Sequence, residues 1–207
     1  LLRPAKAISP ALSPHAAKSV CVTSGFPRPC SASGSSPRSD TPAILPSVAT
    51  ALGLTTAASS LSPIFVGIGG VGGNACEALV RGGIGNVIIV DMDTVEESNI
   101  NRQLVALHST LNQAKVDVMK KRILDINPNC DVTSYHTFYN DETKEGILNH
   151  KIDFICDCID TVTFKIDIIK ESLVRNIPLI SSMGQGNKFH PEMIEIEDLY
   201  KTSYDPI

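Results

Sequence analysis

The sequence predicts a doubly wound (Rossmann-like), mostly parallel α/β sheet with helices on both faces, preceded by a disordered N-terminal segment. Three observations predict it. From Ile64 onward, short apolar runs alternate with amphipathic stretches at helical spacing. The runs "NVIIVD" (86–91) and "DFICDCID" (153–160) are dominated by apolar residues, as in parallel strands covered on both faces. Finally, Gly67, Gly69 and Gly72 form a GxGxxG turn between the first such strand and the first helix.

Each element has its own justification. "IFV" (64–66) is a short apolar strand. "VGGNACEALVRGG" follows as a helix with Ala75, Leu79 and Val80 on one face and a glycine stop. "NVIIVD" is the second strand. "NQAKVDVMKKRILDIN" (112–127) is amphipathic through Val116, Met119, Ile123 and Ile126, and Pro128 ends it. "DVTSYHTF" (131–138) is predicted as a strand, "DETKEGILN" (141–149) as a short helix and "DFICDCID" as a buried strand. "KIDIIKESLVRN" (165–176) is a helix, and "PLISS" (178–182) is the last strand of the series.

The chain of 207 residues divides by composition. Residues 1–63 hold 13 Ser, 11 Ala and 9 Pro, with a net charge of +4. The remaining 144 residues carry 13 basic and 21 acidic side chains, a net of −8. Residues 1–62 are therefore read as a disordered leader or an organellar transit peptide, since they are acid-poor, Ser-rich and Arg-bearing. Residues 63–207 form the predicted domain. A cytoplasmic location is expected, or a plastid or mitochondrial one if the leader is a transit peptide. No apolar run approaches the roughly 18 residues of a transmembrane helix. The six cysteines have neither CxxC spacing nor a disulfide rhythm, and Cys156 and Cys158 are read as buried thiols.

The glycine turn aims a helix N-terminus at an anion and lets a phosphate approach the backbone. Asp91 ends the next strand, where a carboxylate can accept ribose hydroxyls. Arg102 lies 11 residues further on, Lys115 on the following helix, and Asp160 at the end of the strand over 153–160. Two cations and a carboxylate near a phosphate loop suit ATP with Mg2+. Arg102 and Lys115 would neutralise charge as pyrophosphate leaves, and Asp160 would hold the metal. Asn99, Asn101 and Gln103 would place phosphate or ribose oxygens through neutral hydrogen bonds. An NAD-dependent dehydrogenase remains open on Asp91, but hydride transfer has no use for Arg102, Lys115 and Asp160.

The segments "GIGGVGG", "VDMDTVEESNINRQ", "QAKVDVMKKRILDINP" and "CDCID" together resemble the adenylating (ThiF/MoeB-type) domain shared by ubiquitin-activating-type enzymes and the activators of sulfur-carrier proteins. The resemblance implies nucleotide and magnesium roles for Gly70, Asp91, Asn99, Arg102, Gln103, Lys115 and Asp160. The tail "SSMGQGNKFHPEMIEIEDLYKTSYDPI" (181–207) is similar to the branch of that family that cyclises N6-threonylcarbamoyladenosine beside the anticodon of tRNA. That resemblance implies a homodimeric, ATP-dependent tRNA-modifying enzyme, with Asn187 and Lys188 as candidates to touch the acyl substrate. It also implies an N-terminal arginine reaching across the dimer, a role that neither Arg28 nor Arg38 can be matched to, and a C-terminal, substrate-facing part beyond Ile207. Two alternatives stand beside it: an activator of a ubiquitin-like or sulfur-carrier protein, and a truncated nucleotide-binding module without turnover.

Overall fold

The computed structural model describes residues 20–25, 58–184 and 193–201. Seven strands occur among them: β1 (Val20–Gly25), β2 (Pro63–Val66), β3 (Asn86–Val90), β4 (Asp131–Tyr135), β5 (Phe154–Asp157), β6 (Leu179–Ser182) and β7 (Met193–Asp198). Four α-helices accompany them: α1 (Gly72–Arg81), α2 (Lys115–Ile126), α3 (Lys144–Leu148) and α4 (Val162–Arg175). The strands form one sheet in the order β4-β3-β2-β5-β6-β1-β7. Every neighbouring pair is parallel except β1 with β7. The expected mostly parallel, doubly wound architecture is therefore what the chain adopts.

Alternate residues of the central strands feed two cores. Phe65 and Ile89 join Cys76 and Leu79 of α1 and Met119 and Ile123 of α2 on one face. Ile64, Val66, Ile88, Val90 and Ile155 join Ile147 and Leu148 of α3 and Ile168 of α4 on the other. Both faces of β2, β3 and β5 are covered, which explains why their sequences lack a polar alternation. Helix stops follow local chemistry. Gly83 adopts φ +93° after α1, and Asn176 adopts φ 54° after α4 just ahead of Pro178.

Three differences from the sequence reading matter. Val20–Gly25, within the segment set apart by composition, is a strand between β6 and β7. "VCVT" is a β-branched run without Pro, and an average over Ser, Ala and Pro hides it. Near the other end of that segment, Leu61 packs against the first core and the Ser62 amide donates to the Asp153 carboxylate (2.8 Å). The rest of residues 1–57, with Arg28 and Arg38, lies outside the described residues. Second, β7 follows the last strand expected from sequence, and it closes one edge of the sheet in antiparallel register. Third, the strand predicted over 153–160 stops at Asp157. Cys158 donates its amide to the Val66 carbonyl (2.8 Å), and the chain then turns, so Asp160 sits in the loop before α4 rather than at the strand end.

The residue that does end β5 is Asp157, and it is fully buried. Its carboxylate accepts from the Lys165 ammonium (2.8 Å), the Ser181 hydroxyl (2.6 Å) and the Ile159 amide (3.2 Å). Lys165 also donates to the Ser182 carbonyl (2.9 Å). One buried ion pair thus ties β5, β6 and the first turn of α4 together. Among the described residues no helix is long and apolar enough to cross a membrane. Removing one partner of such a pair strands a charge. Lys165→Met is expected to lower the unfolding free energy in urea by about 3–5 kcal/mol, and adding Asp157→Asn should recover part of the loss.

Candidate functional site

A cleft of about 570 Å³ opens over the carboxyl ends of the central strands, where ligands of open parallel sheets bind. Its floor is the turn from β2 to α1. Gly67 takes φ +95°, and a Cβ there would stand 2.8 Å from the Cys158 carbonyl oxygen. A Cβ on Gly72 would stand 1.9 Å from the Gly67 carbonyl oxygen. Loop, helix start and the Cys158 turn therefore meet backbone to backbone. The ten-residue helix α1 begins on this turn, with Gly69, Gly70 and Val71 lining the cleft ahead of it.

Eight of the residues singled out from sequence line this one cleft: Gly67, Gly69, Gly70, Asp91, Arg102, Gln103, Lys115 and Asp160. Gly72, Asn99 and Asn101 do not. Gly72 supplies close packing instead. Asn99 is buried, and its side-chain oxygen accepts from the Glu96 amide (3.2 Å), while its carbonyl accepts from the amides of Arg102 (3.1 Å) and Gln103 (2.9 Å). It shapes the turn that presents its neighbours. Asn101 is exposed and steadies the Arg102 guanidinium. Asn187 and Lys188 lie outside the described residues.

The charged groups are held individually. Asp91 sits just past β3, and its two oxygens accept from the amides of Ile68 (2.6 Å) and Asp93 (2.8 Å). Burial pushes its carboxyl up, while those amides and the nearby Lys115 charge pull it down. Arg102 donates to the Ser98 carbonyl and the Asn101 side-chain oxygen, both at 2.9 Å, so its partners are neutral. Lys115 is 4% exposed and reaches Asp93 at 2.7 Å. Gln103 is buried, with its amide nitrogen toward Gly69 and its side-chain oxygen without a hydrogen-bond partner. Asp160 is exposed. Among the described residues, no three His, Cys, Asp or Glu gather as a self-sufficient metal site.

Three features of the cleft escape a reading of sequence alone. Asp93, the second acid of "VDMD", is the ion-pair partner of Lys115. Phe138, Tyr139 and Phe164 line one wall, and Tyr139 is anchored by its hydroxyl to Asp167 (3.0 Å). Ser182, Met183 and Gly184 line the end above β6. Cys158 also borders the cleft; burial pushes its thiol up to about 12, and Cys76 and Cys156 are raised for the same reason. All three pack with the first core.

A model of the ThiF family matches residues 44–203. The chain is 49% identical over 155 residues to a tRNA threonylcarbamoyladenosine dehydratase of Bacillus subtilis, covering 75% of this chain and 61% of that protein. The crystal structure of the Escherichia coli tRNA N6-threonylcarbamoyladenosine dehydratase in complex with ATP matches with a TM-score of 0.70 at 38% identity, covering 76% of this chain and 63% of that one. A molybdopterin-synthase adenylyltransferase of Haemophilus influenzae is 32% identical over 118 residues, 57% of this chain and 48% of that protein. The chain thus spans about half to three-fifths of the length of these relatives.

The backbone crossing at Gly67 sets a sharp expectation. Gly72→Ala should destabilise by about 3 kcal/mol or more, because no side-chain movement clears a carbonyl at that distance. Gly69→Ala, whose new Cβ would meet nothing closer than 3.8 Å, should leave the thermal midpoint unchanged while weakening ATP binding in a titration.

Proposed function

The chain belongs to the ThiF family, and from that premise we propose that it is an adenylate-forming enzyme that cyclises N6-threonylcarbamoyladenosine in tRNA. The observation that carries this reading is the meeting of the glycine turn, Arg102, Lys115 and Asp160 in a single cleft. A threonine carboxylate is already ionised at neutral pH and needs no enzyme nucleophile to attack the α-phosphorus of ATP. The new P–O bond forms as the bond to pyrophosphate breaks. A urea nitrogen of the modification then attacks the acyl carbon, AMP leaves, and a five-membered ring closes with net loss of water. The chain's part is orientation and charge neutralisation. The α1 N-terminus and the Gly69–Gly70 backbone would receive phosphate oxygens. Arg102 on the Gly70 side and Lys115 on the Asp91 side would bracket the phosphate chain, and Gln103 would offer its amide nitrogen.

Magnesium belongs to the same reading. Three cleft carboxylates, Asp91, Asp93 and Asp160, outnumber the two cleft cations, so a triphosphate entering alone would meet net repulsion. One carboxylate shared with substrate phosphates is the usual protein contribution to a magnesium site, and the exposed Asp160 fits that role. A bound Mg2+ would supply charge compensation for the phosphates. We include a homodimer, for which Val162, Ile166 and Leu173 offer exposed apolar surface along α4. A cytoplasmic location, or an organellar one with a cleaved leader, completes the proposal.

A second reading, activation of a carrier protein's C-terminal carboxylate, is favoured by the match to the molybdopterin-synthase adenylyltransferase. The two readings differ in the acyl group, not in the nucleotide chemistry. Incubation with ATP, Mg2+ and tRNA carrying the modification, followed by mass spectrometry of the nucleosides, is expected to show the cyclised product. Absence of that product with the substrate confirmed present, together with AMP release driven by a carrier ending in Gly-Gly, would favour the second reading. Asp160→Ala should abolish magnesium-dependent turnover with an unchanged thermal midpoint, since its side chain supports no packing. Wild-type rates in that variant would remove Asp160 from the metal assignment.

A further inference from the structure

Lys115 is nearly sealed from water, and an ammonium in that position needs a fixed partner. Asp93 supplies one through both its side chain and its main chain. The Asp93 carboxylate accepts from the Lys115 ammonium at 2.7 Å, and the Asp93 carbonyl accepts from the Lys115 amide at 3.0 Å. Around them, residues 94–95 and 112–114 form a miniature antiparallel ladder. Thr94 bridges Ala114, the Val95 amide donates to the Gln113 carbonyl (2.8 Å), and the Asn112 amide donates to the Val95 carbonyl (2.9 Å). Main chain and side chain of Asp93 thus grip the same lysine at the first residue of α2.

The grip has a direction. Asp93 lies two residues past Asp91 and donates its own amide to the Asp91 carboxylate (2.8 Å). The Lys115 charge is felt at Asp91. Arg102, by contrast, packs beside Gly70, whose added Cβ would lie 3.7 Å from the Arg102 Cγ. Both cations line the cleft, but Lys115 is held by an acid and Arg102 only by neutral oxygens. The Asp93 side chain is 59% exposed, so it supports little packing of its own.

We propose that Asp93 is a positioning residue for nucleotide chemistry, fixing the Lys115 ammonium in the cleft wall and acting on the reaction only through that lysine. This role rests on the ATP-dependent reading of the cleft. Asp93 bears a negative charge of its own, so it adds nothing to ground-state attraction for phosphates. Its contribution is confined to alignment of Lys115 as charge develops on the leaving phosphate.

The test is a double-mutant cycle with Asp93→Asn, Lys115→Ala and the double variant in the full chain. ATP affinity would be measured by titration, and kcat and KM for ATP from AMP release in the presence of the modified tRNA. Asp93→Asn is expected to lower kcat about tenfold or more while KM stays within about twofold. The double variant should be no slower than Lys115→Ala alone. A loss expressed wholly in KM, an Asp93→Asn variant with wild-type kcat, or additive losses in the double variant would overturn the proposal. A wild-type chain that binds no ATP would sink the parent reading as well. Wild-type ATP binding and turnover with additive losses would sink only this one.

Discussion

The cleft exists because three stretches of backbone cross at Gly67 with no side chain between them. The carbonyl of Gly67 faces the start of α1 at Gly72, and its α-carbon faces the carbonyl of Cys158. The Gly67 amide is committed to the Val90 carbonyl of β3 (2.8 Å), and the Cys158 amide to the Val66 carbonyl of β2 (2.8 Å). Strands β3, β2 and β5 are thereby locked together where they end, and the glycine turn cannot shift without breaking the sheet's own ladder. The buried Asp157–Lys165 pair extends the lock sideways. By holding the end of β5, the end of β6 and the first turn of α4, it fixes the direction in which Cys158, Ile159 and Asp160 leave the sheet. The loop that brings Asp160 to the cleft is supported by a charge pair that does not itself line it.

Electrostatics separates two kinds of cation in this fold. Lys165 spends its ammonium protons on Asp157, Ser181 and Ser182, and it is 1% exposed, so its charge is structural. Arg102 is restrained only by neutral oxygens, and its full charge remains available in the cleft. Lys115 lies between these cases, buried yet paired to an acid that is itself largely in water. In sequence all three are basic residues within reach of acids, and only the three-dimensional pairing distinguishes scaffold from site.

The same limit explains what is legible in the sequence. The order and type of the elements from residue 64 to 182 follow from periodicity and punctuation, because hydrophobic burial on two faces leaves a strong pattern and Gly83, Pro128 and Asn176 mark the exits. The convergence of eight site residues is legible because an open parallel sheet delivers the carboxyl ends of its strands to one edge. The failures are local. "DFICDCID" ends with two acids three residues apart, Asp157 and Asp160, with apolar residues between them, so the pattern extends the strand past its true end. Lys165, eight residues after Asp157 and on the buried face of its helix beside Ile168, is the available sign that Asp157 is the buried acid. Asn99 resembles a ligand because its neighbours are cleft residues, whereas its side chain closes a turn on Glu96. In the described sheet β7 is joined through β1, whose β-branched run is hidden by its Ser- and Pro-rich surroundings.

The lining of the cleft falls into two parts that rest on different supports. The residues that would handle phosphates stand over β2, β3 and the start of α2, rooted in turns whose backbone groups are mutually satisfied. Above β6 the lining among the described residues is Ser182, Met183 and Gly184, none of them charged. The Ser182 carbonyl accepts from Lys165, so this part of the lining shares its support with the Asp157–Lys165 pair.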